Sequence, residues 1–126
     1  MKKILVVDDS ETNLVLLKAI LEDTGYDVIL TNSSKKALSI SRNHDVDLIL
    51  LDLLMPEMDG FSFLNSFKEY YTSTKEIPVI VVTAYANAEN IKKTKDLGAY
   101  DVIGKPININ HFLYKIKHVL DIEMYR

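Results

Sequence analysis

The sequence contains no cysteine among its 126 residues. A disulfide framework, a thiolate metal site and a cysteine nucleophile are therefore excluded. Glycine is also scarce, with four residues in the chain. No G-x-G-x-x-G loop follows any apolar run, which argues against a dinucleotide-binding or flavin-binding protein.

The sequence also has no excess of basic over acidic residues. The formal net charge is -3, and the lysines and arginines are scattered along the chain rather than clustered. Nucleic-acid-binding domains normally carry a strongly basic face. We therefore expect no direct contact with nucleic acid.

Long apolar runs are absent too, and none approaches the length of a membrane span. The opening MKKILVVDDS has a basic start, but its apolar run is short and ends at Asp8 and Asp9. That pattern differs from a signal peptide. We expect a cytoplasmic protein that does not insert into a membrane.

The composition that remains is that of an ordinary globular chain, with 48% hydrophobic and 26% charged residues. A chain of this length can bury one substantial core but is too short for two ordinary domains. We therefore expect residues 1–126 to form a single domain.

Five short runs rich in valine and isoleucine have the length of buried strands. They lie at residues 4–7, 28–30, 48–51, 79–82 and 102–103. Longer segments with helical spacing separate them, and the last carries an apolar stripe at Ile109, Phe112, Leu113, Ile116, Val119 and Leu120. The order βαβαβαβαβα with uniformly apolar strands predicts an α/β fold, a doubly wound five-stranded parallel sheet.

Helix boundaries can also be read from single residues. Ser10 is a candidate N-cap for a first helix over residues 11–23, and Gly25 follows its end. Gly98 has the same stop role after the fourth helix. Gly60, which follows Asp59, is interpreted as a structural residue that lets the chain turn into the third helix.

Polar side chains that could take part in binding or catalysis lie where the predicted strands end. Asp8 and Asp9 end the first strand, Asp52 the third and Thr83 the fourth, while Lys105 follows the fifth. In open parallel sheets the ligand crevice lies at this edge. Taken one at a time, the aspartate pair could cap the first helix, Thr83 could be a β-branched strand terminus and Lys105 a solvated lysine.

Together, these side chains indicate a site for a cation and a phosphoryl group. Three close carboxylates would repel one another unless a cation lay among them, and Mg²⁺ favours oxygen ligands together with a phosphate oxygen. Thr83 and Lys105 could contact the remaining phosphate oxygens. Asp52, the central carboxylate, could be the nucleophile that forms an aspartyl phosphate.

The motifs VVDDS at 6–10, DLILLDLLMPEMDG at 47–60, PVIVVTA at 78–84 and GAYDVIGKP at 98–106 resemble the receiver domain of two-component response regulators. The resemblance covers essentially the whole chain and implies a flavodoxin-like (βα)5 fold with strand order 2-1-3-4-5. It implies that Asp52 is the phosphoacceptor and that Asp8 and Asp9 hold Mg²⁺. Thr83 would be the switch hydroxyl, and Lys105 would contact the phosphoryl group.

The resemblance carries two further expectations, and the sequence departs from it at one position. The family uses the backbone carbonyl two residues after the phosphoacceptor as a metal ligand, which here is that of Leu54. The Lys105-Pro106 bond matches one that is cis in the family. The sequence departs from the pattern at Val102, where the family usually has a tyrosine or phenylalanine that rotates with the switch hydroxyl.

The function implied by the resemblance is a signalling switch rather than an enzyme. A sensor histidine kinase or a histidine phosphotransfer protein would phosphorylate Asp52, and the surface of helix 4, strand 5 and helix 5 would then control a downstream protein. A receiver-like module that binds a partner without phosphorylation is the alternative, favoured by Val102 alone. A phosphohydrolase of the haloacid-dehalogenase type would need a D-x-D pattern after the first strand, whereas this chain has adjacent aspartates followed by Ser10.

Overall fold

The structure, a computed structural model, describes residues 1–43, 45–53, 59–70 and 77–124. Strands and helices alternate along the chain, as the sequence predicts. They are β1 (Lys3–Val7), α1 (Glu11–Asp23), β2 (Asp27–Thr31), α2 (Ser34–Asn43), β3 (Leu48–Leu51), α3 (Gly60–Tyr70), β4 (Val79–Thr83), α4 (Ala88–Asp96), β5 (Asp101–Gly104) and α5 (Ile109–Met124).

All five strands are parallel and pair in the order β2-β1-β3-β4-β5. Successive side chains of a strand point to opposite faces of the sheet. In β1, Leu5 and Val7 join the apolar cluster that includes α2 and α3, whereas Ile4 and Val6 join the cluster that includes α1 and α5. Helices thus cover both faces, and the predicted doubly wound fold with strand order 2-1-3-4-5 is confirmed.

Strand β3 explains why four aliphatic residues stand in a row before Asp52. Each of its residues, Leu48–Leu51, is at most 1% exposed. A strand at the centre of such a sheet has apolar neighbours on both faces, so no position favours a polar side chain. The first polar residue, Asp52, therefore comes where the strand leaves the core.

Three helix termini agree with the sequence interpretation. Helix α1 begins at Glu11, and the hydroxyl of Ser10 accepts a hydrogen bond from the amide of Asn13 at 3.3 Å. Gly25 and Gly98, which follow α1 and α4, have φ angles of +93° and +101°. That left-handed conformation favours glycine and ends a helix.

Gly60 has a structural role, as predicted, but for a different reason. It is the first residue of α3, and its amide donates a hydrogen bond to the carbonyl of Leu53 at 2.6 Å. A Cβ atom at this position would lie 2.7 Å from the Asp52 carbonyl oxygen and 2.7 Å from the Leu53 Cα. Glycine is needed because the start of α3 packs directly on the backbone at the end of β3.

An ion pair joins α5 to the start of β5. Lys115 Nζ lies 2.7 Å from Asp101 Oδ2, and Asp101 Oδ1 accepts a hydrogen bond from the amide of Val102 at 2.8 Å. Partial burial raises the pKa of Asp101, but the hydrogen bonds from Lys115 and Val102 and the nearby charges of Lys115 and Lys95 outweigh it. The net result is a pKa below the ordinary value for aspartate.

This ion pair should make stability depend on pH. The folded chain lowers the pKa of Asp101, so the stabilisation is present above the unfolded-state pKa and is lost as the pH falls through the folded-state pKa. Because both side chains are about a quarter exposed, at 26% and 27%, solvent screens the pair. We expect Asp101→Asn to lower the free energy of unfolding at pH 7 by about 0.5–1 kcal/mol.

Urea denaturation of wild type and Asp101→Asn between pH 7 and pH 3 tests this expectation. The difference between the two proteins should shrink towards pH 3. Asp96→Asn is the matched control, since Asp96 also pairs with a lysine, Lys92, but on the exposed surface of α4. A difference for Asp101→Asn that stays constant over this pH range would contradict the assignment.

Candidate functional site

The ends of β1 and β3 bring three carboxylates together. Val7 and Leu51 are paired in the sheet, and the amide of Asp52 donates a hydrogen bond to the Val7 carbonyl at 3.0 Å. Asp8, Asp9 and Asp52 each offer a carboxylate oxygen, and these atoms lie within 4.8 Å of one another. The acidic cluster expected from the sequence is therefore present at the predicted edge of the sheet.

Asp8 is the buried member of this cluster, at 2% exposure. Its Oδ1 accepts a hydrogen bond from the amide of Ser10 at 2.9 Å, and its Oδ2 accepts one from Lys105 Nζ at 2.9 Å. The cap of α1 is Ser10 rather than either aspartate. The Asp8 carboxylate thus contacts both the amide of the N-cap residue and the lysine of the cluster.

Lys105 bridges two of the three carboxylates. Its Nζ lies 2.9 Å from Asp8 Oδ2 and 3.5 Å from Asp52 Oδ2. Its side chain is 19% exposed, against 3% for Asp8 and 13% for Asp52. The ammonium group is therefore a counter-charge inside the cluster and not a solvated loop lysine. The Lys105-Pro106 bond is cis, as expected.

Thr83 is the last residue of β4 and is fully buried. The carbonyl of Thr83 accepts a hydrogen bond from the amide of Lys105 at 2.8 Å, and Thr83 pairs with Gly104 of β5 in the sheet. Its hydroxyl oxygen accepts a hydrogen bond from the amide of Tyr85 at 3.1 Å. Thr83 thus lies at the same edge of the sheet as Asp52, with its backbone fixed to the strand that leads into Lys105.

Asp52 follows β3 and is only partly exposed. Its Oδ1 accepts a hydrogen bond from the amide of Leu53 at 2.7 Å, which orients the carboxylate at the strand end. Leu54, whose carbonyl was expected to bind the metal, lies outside the described residues. Val102 packs against the apolar cluster on the α2, α3 side of the sheet. Its side chain has no polar atom and so cannot form a hydrogen bond with Thr83.

Asn13 contacts the acidic cluster, and its sequence position did not predict this contact. Its side-chain amide donates a hydrogen bond to Asp8 Oδ2 at 3.4 Å. The two residues are five positions apart, and only the path of the chain into the first turn of α1 brings them together. No sequence signal distinguishes this asparagine from a solvent-exposed residue of an amphipathic helix.

The cluster fits a hard divalent cation. All three acidic side chains offer oxygen atoms, and Mg²⁺ takes oxygen ligands and commonly one or two carboxylates plus phosphate oxygens. Asp9 is exposed, Asp52 is partly exposed and Asp8 is buried, so the cluster lies at the boundary between solvent and core. Close carboxylates can only be brought together at low cost when positive charge offsets their repulsion, and Lys105 supplies part of it.

This open α/β sheet carries acidic residues, a buried hydroxyl and a lysine at one edge, a set of groups that can hold a cation beside a phosphate group. The family model for the response regulator receiver domain matches residues 4–117 of the chain. This chain therefore belongs to the response regulator receiver family.

Relatives and solved structures agree with this assignment. The polar-differentiation response regulator DivK of Brucella ovis is 35% identical over 119 residues, covering 94% of this chain and 96% of that protein. A CheY-like receiver domain protein from Methanospirillum hungatei is 34% identical, with a TM-score of 0.90 over 99% of this chain and 98% of the other. Chemotaxis protein CheY4 of Vibrio cholerae is 29% identical, with a TM-score of 0.87 over 94% and 98%.

Within the part of the chain that the structure describes, no helix is both long enough and apolar enough to cross a bilayer.

Proposed function

We propose that this chain is a phosphorylation-dependent switch in which Asp52 receives a phosphoryl group from a sensor histidine kinase or a histidine phosphotransfer protein. The observation that carries the proposal is the convergence of Asp8, Asp9 and Asp52 with the ammonium group of Lys105. The proposal keeps residues 1–126 as one domain and the cytoplasmic location, both as expected from the length and composition of the sequence.

The chemical step is a displacement at phosphorus. A carboxylate oxygen of Asp52 attacks the phosphorus atom of a phosphohistidine, an O–P bond forms and the N–P bond breaks. The leaving imidazole keeps the electron pair of that bond and takes up a proton. Asp52 is suited to attack because the Leu53 amide holds one of its oxygens, while Lys105 lies 3.5 Å from the other.

The remaining residues bind and orient the phosphoryl group. The ammonium group of Lys105 can form an ion pair with the phosphoryl oxygens. The Thr83 hydroxyl can donate a hydrogen bond to one of these oxygens. Mg²⁺, held by Asp8, Asp9, Asp52 and the carbonyl of Leu54, would offset the negative charge of the carboxylates and of the phosphoryl oxygens.

The consequence is a shift between two arrangements of the surface formed by α4, β5 and α5. Thr83 precedes the loop that leads to α4, and Lys105 follows β5. A phosphoryl group that attracts both side chains would favour one arrangement of these elements over the other. A downstream protein that binds this surface would then read the phosphorylation state.

Intact mass spectrometry after incubation with Mg²⁺ and acetyl phosphate tests the proposal. We expect a gain of one phosphoryl group in wild type and none in Asp52→Ala. Asp59→Ala is the control for the loss of an aspartate near the same edge, since Asp59 caps the first turn of α3 through the Ser62 amide. Chelation of the metal should also abolish the gain.

Each outcome distinguishes the candidate functions. A gain that persists in Asp52→Ala would place the phosphoryl group elsewhere and contradict the assignment of Asp52. No gain in wild type with either acetyl phosphate or a phosphorylated histidine phosphotransfer protein would favour a receiver-like module that binds its partner without phosphorylation.

A further inference from the structure

A chain of hydrogen bonds connects the buried hydroxyl of Thr83 to the first turn of α4. The amide of Tyr85 donates to Thr83 Oγ1 at 3.1 Å. The carbonyl of Tyr85 accepts from the amide of Asn87 at 3.0 Å and from Asn90 Nδ2 at 2.9 Å. The amide of Asn90 donates to the side chain of Asn87, the N-cap of α4, at 2.8 Å.

Tyr85 is the residue through which this chain of contacts passes. Its N–H faces the hydroxyl at the end of β4, and its C=O faces the side chain of Asn90 in α4. A hydroxyl has one donor and two acceptor positions. When the Tyr85 amide occupies one acceptor position, the proton of Thr83 remains available for an oxygen atom in the site.

The backbone of Thr83 cannot follow its hydroxyl easily. The residue is fully buried, and the amide of Lys105 donates to its carbonyl at 2.8 Å. A pull on the hydroxyl would therefore act mainly on the loop over residues 84–87. Within that loop, the carbonyl of Tyr85 is tied to α4 by the Asn90 side chain.

Helix α4 is suited to respond to such a pull. Thr94 is its one buried residue, so the helix has little apolar packing that would resist displacement. The Asn90 contact to Tyr85 is exposed, and an exposed hydrogen bond is a modest interaction that can bias an equilibrium without locking it. Val102 in β5 has no polar side-chain atom and cannot supply an equivalent hydrogen bond.

We infer that Asn90 is a positioning residue that couples Thr83 to α4 through the carbonyl of Tyr85. The inference rests on the proposed phosphorylation of Asp52 and names the contact that transmits it. The Asn90 amide and side chain donate to Asn87 and Tyr85 and not to the acidic cluster. Its role is to convert a change in the Thr83 hydroxyl into a change in the position of α4.

Asn90→Asp tests the inference because it keeps the shape of the side chain and removes the donor. A carboxylate in the first turn of a helix is favourable, so the variant should fold normally. Asn90→Ala removes the donor without adding charge. Asn87→Asp is the matched control, since it adds the same charge in the same loop and aspartate is as good an N-cap as asparagine.

The measurement is the change in the backbone amide NMR signals of residues 88–96 when beryllium fluoride and Mg²⁺ are added to each protein. We expect both Asn90 variants to shift the ratio of the two α4 arrangements about fivefold, since one hydrogen bond is worth about that factor. Their α4 response should therefore be smaller than in wild type and Asn87→Asp. Each variant should still show a cooperative thermal transition, and phosphoryl gain from acetyl phosphate should remain that of wild type.

The alternative results are separable. An α4 response that is equal in all four proteins, with normal phosphoryl gain, would overturn the coupling role and leave the proposed function intact. Loss of phosphoryl gain in the Asn90 variants would overturn it as well, because Asn90 would then act on Asp52 chemistry. A wild-type chain that gains no phosphoryl group from either acetyl phosphate or a phosphorylated histidine phosphotransfer protein would overturn the proposed function and the coupling together.

Discussion

Gly60→Ala should lower the free energy of unfolding by about 2–3 kcal/mol, because the new methyl group must enter a space that backbone atoms already fill. The Cβ would lie 2.7 Å from the Asp52 carbonyl oxygen and 2.7 Å from the Leu53 Cα. Backbone cannot rotate away as a flexible side chain can. The displacement would fall on the residue that carries the proposed phosphoacceptor, so phosphoryl gain should slow as well.

Urea denaturation followed by circular dichroism measures the loss, and Gly104→Ala is the matched control. Gly104 also lies at the end of a strand near the site, but its added Cβ would be 3.5 Å from the Ala86 Cβ, an ordinary contact. We expect Gly104→Ala to change stability by no more than about 0.5 kcal/mol. Equal stabilities for the two variants would contradict the packing argument.

Lys105→Met should change metal binding and phosphorylation in opposite directions. The ammonium group lies 2.9 Å from Asp8 and 3.5 Å from Asp52, so it competes with any cation for the same carboxylates. Removing this charge should strengthen Mg²⁺ binding, by about tenfold, because an adjacent positive charge disfavours a second one. Phosphoryl gain from acetyl phosphate should fall because no ammonium group remains to contact the new oxygens.

Isothermal titration with Mg²⁺ and intact mass spectrometry measure the two effects separately. Lys92→Met is the control, since Lys92 also pairs with an aspartate but on the exposed face of α4. We expect that variant to match wild type in both measurements. Weaker Mg²⁺ binding in Lys105→Met would show that the lysine supports the metal site rather than competing with it.

Much of the site could be predicted because it follows strand ends. Asp8, Asp52 and Thr83 each stand directly after or at the end of an apolar run, and parallel strands in one sheet end at the same edge. The position of a residue at this edge thus depends on where a strand ends, and the hydrophobic pattern of the sequence indicates where each strand ends. Leu54, predicted as a metal ligand through its carbonyl, lies outside the described residues and stays a prediction.

Contacts that a long side chain makes with residues remote in the sequence could not be predicted in the same way. Lys105 and Asp8 are 97 positions apart, and the sequence did not indicate that the lysine would lie nearer to Asp8 than to Asp52. The hydrogen bond from Asn90 to the Tyr85 carbonyl depends on how α4 begins after the loop. Neither contact has a periodic pattern that marks it.

Local sequence patterns were sufficient to predict the element order, the two-sided burial of β3 and the set of polar residues at the strand ends. These features follow from hydrophobic pattern and helix-capping residues, which act over a few positions. Tertiary structure decided which atoms meet: the ammonium of Lys105 between two carboxylates, the clearance at Gly60 and the contact of Asn90. Such distances depend on how strands and helices from remote parts of the chain pack, and packing is set by the three-dimensional fit of all of them.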